Sequence, residues 1–163
     1  MKILQTDSRL PLAVKNWGCL FFCVLTASGK EFLADEILAI YQSAKTTGIL
    51  GYLDEKGKFH AGERFDDKGN VIDGCYVKDP VSLANLAGMR ADSYWKADKG
   101  VPAPAGAKEF LHFHRNADTP VGSGNAVHDH FVNGDGNGRV TNDSLGQSNT
   151  VKYGFLENKR FLA

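Results

Sequence analysis

Segment 17–27 constrains this chain most. It is apolar almost throughout, begins at Trp17 and is closed by Gly29 and Lys30. Crossing a bilayer takes roughly 18 consecutive apolar residues, and this run is about half that length. It is therefore expected as a core helix, running to about Ser28 and ended by Gly29. Cys19 stands at its start, in Asn16-Trp17-Gly18-Cys19-Leu20-Phe21-Phe22-Cys23, where a loop runs into the helix. Cys23 lies one turn further in and reads as core.

The pattern around this helix predicts helices first and sheet afterwards. Residues 1–16 read as an extended lead-in ending in a loop. A second helix is expected over 31–45, with Leu33, Ile37, Leu38, Ile40 and Tyr41 near helical spacing and Thr46-Thr47-Gly48 as its stop. Residues 49–78 hold turns at Glu55-Lys56-Gly57 and Asp67-Lys68-Gly69-Asn70, with short strands or loops between. Asp79-Pro80 opens a third helix, which Gly88 ends. After the stiff connector 101–106, strands are expected at 109–115, 127–133, 139–142 and 150–155. The expected fold class is α+β, a single domain over 1–163 with a helical part over about 17–100 and a sheet part over about 108–163.

Bulk properties exclude several functions. The chain has 163 residues, 42% of them apolar and 23% charged, which suits one globular domain. Nineteen basic side chains balance nineteen acidic ones, so neither nucleic acid nor an anionic membrane is expected as partner. Thr6, Asp7, Ser8 and Arg9 interrupt any signal-peptide core. An odd cysteine count without CxxC spacing points to reduced thiols. The expected location is the cytoplasm, with phage lysis or a dedicated route as the means of any release.

Three residues suggest chemistry. His130 opens the strand-like run His130-Phe131-Val132, and Asp143 follows in Asn142-Asp143-Ser144. A thiol at a helix start, with an imidazole and a carboxylate on later strands, is an arrangement for nucleophilic attack on a carbonyl. The helix N-terminus and a neighbouring imidazolium both favour thiolate. Asp143 would fix the imidazole tautomer. Gly18 permits close approach of chain or substrate to the sulfur, and Trp17 would wall a substrate cleft. The competing reading makes Cys19 core and Asp143 a turn residue.

Leu4-Gln5-Thr6-Asp7-Ser8-Arg9, Gly18-Cys19, His130-Phe131-Val132, Asn142-Asp143-Ser144-Leu145-Gly146 and Tyr153-Gly154 resemble, in that order, motifs of papain-like cysteine peptidases related to the bacteriocin-leader-processing group. The resemblance covers both ends of the chain but not the middle. It implies a papain-like fold and a peptidase or amidase that needs no cofactor. It makes Cys19 the nucleophile, His130 the base, Asp143 the orienting carboxylate and Gln5 an oxyanion donor. The implied partner is a peptide or protein substrate, peptidoglycan peptides included. Leu10, Leu20, Asp129 and Ser144 depart from the family's Trp, Gly, Gly and Pro. Those departures fit a divergent enzyme or an inactive module that binds a partner protein.

Two metal readings compete. His112, His114, His128 and His130 would share one face if the hairpin were centred near Val121, setting His112 against His130 and His114 against His128. Residues 133–141, Asn-Gly-Asp-Gly-Asn-Gly-Arg-Val-Thr, echo a calcium loop, but Ser144 stands where its last carboxylate belongs, and a glycine-rich turn is the simpler reading.

Overall fold

The computed structural model describes residues 1–114, 130–146 and 155–163. The chain opens with helices α1 (Leu12–Trp17) and α2 (Cys19–Ala27) in tandem, followed by α3 (Ala34–Thr46). Short strands β1 (Leu50–Leu53), β2 (Phe59–Ala61), β3 (Arg64–Phe65), β4 (Val71–Asp73) and β5 (Tyr76–Val77) lead to helix α4 (Pro80–Leu86). Strands β6 (Tyr94–Ala97), β7 (Lys108–Phe113), β8 (His130–Gly134), β9 (Val140–Asn142) and β10 (Leu156–Leu162) complete the described elements. Among the described residues they form an antiparallel sheet in the order β6-β10-β7-β8-β9, a smaller sheet β2-β1-β5 and the pair β3-β4. The architecture is α+β, as expected.

Helix α2 is the apolar post of the molecule. Phe21, Phe22, Val24 and Leu25 are fully buried, each contributing roughly 1.5–3 kcal/mol by leaving water. One core cluster joins them to Tyr41 of α3, Leu83 of α4 and Phe110 and Leu162 of the large sheet. A buried hydrogen bond fastens α2 to that sheet, from Asn133 Nδ2 on β8 to the Cys23 carbonyl at 2.9 Å. Ser28 and Gly29 (φ +73°) end the helix.

Several sequence expectations differ from the structure. Residues 12–17 are helical rather than extended: Pro11 fixes the entry dihedral, and Lys15 N–H returns to its carbonyl at 3.1 Å. In α3 the buried stripe is Ala34, Ile37, Tyr41 and Ala44, while Leu33 and Leu38 are exposed. Glu36 accepts the Leu33 N–H at 2.9 Å and so caps that helix. Strand β10 lies beyond the expected strand 150–155, of which 150–154, like 127–129 of the expected strand 127–133, lie outside the described residues. The supposed helical part also carries six strands, and β6 joins the C-terminal sheet.

Gly18 is the joint between α1 and α2. Its N–H donates to the Val14 carbonyl at 2.9 Å, and its own carbonyl accepts from Phe22 at 2.9 Å. A Cβ built at this position falls 2.4 Å from Val14 O, too close for any real contact. Gly18→Ala is expected to lower unfolding free energy by about 1–3 kcal/mol through a shift of α1 against α2; unchanged urea melts would contradict this packing.

Candidate active site

Cys19 is the first residue of α2 and is partly exposed, whereas Cys23 and Cys75 are buried. Burial pushes both of those thiols well up, which keeps them protonated and unreactive. The sulfur of Cys19 sits instead where the helix dipole favours negative charge.

The imidazole comes from the neighbouring sheet. His130 opens β8 and Asp143 directly follows β9; the pairing of Asn133 with Asn142 folds the second strand back along the first. His130 Nε2 lies 2.7 Å from Asp143 Oδ1, with side-chain exposures of 2% and 0%. The Leu145 N–H also donates to Asp143 Oδ1 at 3.0 Å, so the carboxylate is held by two donors. With Nε2 committed, Nδ1 remains for the Cys19 thiol, to which the ring is also hydrogen-bonded. Burial alone pushes His130 down, but the bonds to Asp143 and Cys19 outweigh it and hold the imidazole up at about 9. The ring is therefore an imidazolium at neutral pH.

Gln5, fourteen positions from Cys19 in sequence, reaches the same place. Its Oε1 accepts from Ser144 Oγ at 2.7 Å, its Nε2 donates to the Lys15 carbonyl at 3.1 Å, and its backbone N–H donates to Ser144 O at 2.8 Å. These contacts fix which way the amide faces. Ser144 thereby does work a proline could not: its hydroxyl ties the N-terminal segment to the loop carrying Asp143.

A cleft of about 560 Å³ opens over these groups, lined by Cys19, His130, Gln5, Trp17 and Leu20. Trp17 is half-buried; it lines the cleft and also packs on the core. Gly18 does not line the cleft; its part is the backbone joint. Leu20 shares the lining with the core. Lys78, Tyr94 and Arg160 line it as well and escape sequence reasoning, because only strand register brings Arg160 of β10 to this face. Asp129, His128 and Tyr153-Gly154 lie outside the described residues.

The metal alternatives lose their geometry. In the β7–β8 register His112 faces Phe131 and Phe113 faces His130, one position away from the pairing that a histidine cluster requires. His112 stacks on Phe131 at 4.4 Å, and its Nδ1 lies 2.9 Å from Asn158 Nδ2. His114 stacks on Phe155. Among the described residues no group of three or more metal-ligating side chains converges. In the supposed calcium loop, Asp135 Oδ1 accepts the N–H groups of Asn137 and Arg139, which makes it a turn carboxylate.

No protein-family model, curated protein or solved structure matches this chain.

Proposed function

We propose that the chain is a papain-like cysteine hydrolase that cleaves a peptide or amide bond. The observation that carries this reading is the buried His130–Asp143 hydrogen bond of 2.7 Å, with the same imidazole bonded to a partly exposed thiol at the start of α2. Cys19 sulfur attacks the amide carbonyl, and its proton resides on His130. The carbonyl oxygen takes up negative charge at the start of α2, where the Gln5 amide and the first helical N–H groups supply donors. His130 then delivers its proton to the leaving amine, and the Cys19 thioester forms as the C–N bond breaks. Water, deprotonated by His130, hydrolyses the thioester and restores the thiol. The chain's own residues account for each of these steps.

Two consequences separate this reading from a partner-binding module. A pooled library of internally quenched peptides should be cleaved by the wild type and not by Cys19→Ser; a binding module would cleave nothing with either. Cleavage should also decline as pH rises through about 9, since His130 holds its proton below that value and loses it above. The sign follows from the role of His130 as acid toward the leaving amine. Alkylation of Cys19 needs no such acid and should not decline there. A hydrolytic rate still rising beyond pH 10 would remove His130 from the acid role.

A further inference from the structure

We propose that Arg160 and Tyr94 form an anion-recognising subsite in the cleft, so that the bond cleaved lies next to a residue bearing a carboxylate. This inference rests on the hydrolase reading and adds its substrate class.

Arg160 is held as a preformed fork. Its Nε donates to Asn158 Oδ1 at 2.9 Å, and Asn158 in turn lies 2.9 Å from His112 Nδ1 through its own amide nitrogen. Asn158 is buried, so this support is fixed. The guanidinium lies over the Phe131 ring, 5.8 Å from its centroid, and Phe131 directly follows His130. With Nε and one face of the plane committed, the two terminal amino groups remain, the pair of donors that matches a carboxylate bidentately. Among the described residues no carboxylate pairs with Arg160.

Tyr94 supplies a second donor. Its hydroxyl is buried and lies beside the guanidinium, which bonds to it. Beside the guanidinium, the Tyr94 O–H can donate to the same arriving carboxylate. Lys78, which lines the same cleft, adds positive charge. Asp73 lines the cleft too, but its Oδ1 accepts the Gly74 N–H at 2.8 Å. A guanidinium fixed by neutral neighbours, with a hydroxyl beside it and the nucleophile in the same cleft, is suited to an acidic side chain or a free terminal carboxylate.

Three alkylating probes test this and distinguish the two sources: N-iodoacetyl-glutamate α-amide, N-iodoacetyl-glutamine with a free α-carboxylate, and neutral N-iodoacetyl-glutaminamide. Rates of Cys19 labelling are read by mass spectrometry. At least one anionic probe should react about tenfold faster than the neutral one, and the faster of the two identifies a side-chain or a terminal carboxylate. Arg160→Gln should bring the anionic-to-neutral ratio to within about twofold of unity. Should that variant fail to fold, the wild-type ratio must still fall severalfold between 50 mM and 500 mM salt, as screening requires. A ratio near unity in the wild type, with Cys19 labelled by all three, would overturn the subsite and leave the hydrolase reading intact. Failure of every probe to label Cys19 would overturn both.

Discussion

Lys159→Met is expected to lower the unfolding free energy by about 3–5 kcal/mol, the cost of leaving a buried charge without its partner. Lys159 Nζ lies 3.0 Å from Glu109 Oε2, with side-chain exposures of 2% and 0%. The pair is a hub as well as a contact. Lys159 also donates to the Val101 carbonyl at 2.9 Å, and Glu109 Oε1 accepts from the N–H groups of Gly136 and Gly138 at 3.2 and 2.9 Å. It thus pins the connector before β7 and the turn between β8 and β9. Gly134 must remain glycine beside it, because a Cβ there would lie 2.2 Å from Glu109 Oε1. Since β8 carries His130 and β9 leads to Asp143, loss of the hub should loosen the dyad before the chain unfolds. The double variant Glu109→Gln/Lys159→Met should recover more than half of the lost stability in urea melts, because the uncompensated charge is gone. Equal destabilisation by the single and double variants would show that packing, not charge, sets the cost.

His130→Gln is expected to reduce peptide hydrolysis by about a thousandfold, within the range lost when a general acid–base is removed. Glutamine is the informative replacement because its amide can still donate to Asp143. The buried carboxylate then keeps a partner, and the loss reports on proton transfer rather than on folding. Asp143→Asn should act in the same direction, since an amide cannot stabilise the imidazolium as a carboxylate does. A variant at His130 with hydrolysis within tenfold of wild type would remove the imidazole from the mechanism.

What the sequence made legible is what local chemistry dictates. Segment 17–27 has no polar side until Thr26, so it forms a buried helix with Cys19 at its start. Asp79 followed by Pro80 starts α4, and Asp79 accepts the Ser82 N–H at 3.0 Å as a cap should. The His130 and Asp143 positions were readable because each sits at the edge of a short strand-like run. Features set by partners far along the chain were not. Strand β10 reads Glu157-Asn158-Lys159-Arg160 in its middle, with no alternation to announce a strand. Asn158 and Lys159 can be buried because His112 and Glu109 of β7 satisfy them. The same blindness covers the β7–β8 register, where a slip of one position changes a histidine cluster into His112 stacked on Phe131. It also covers Ser144, whose hydroxyl finds its partner in Gln5, 139 residues away.

The most direct test of the thiol–imidazole pair is the rate of Cys19 alkylation by iodoacetamide from pH 4 to 9, in wild type and in His130→Gln, with the site read by mass spectrometry. Cys23 and Cys75 are buried, so the signal belongs to Cys19. Wild type is expected to react at least tenfold faster than His130→Gln at pH 6 to 7, because the imidazole bonded to Cys19 carries the proton that the attacking sulfur gives up. A Cys19 that is inert throughout, or that follows the same curve in both proteins, would contradict this pairing.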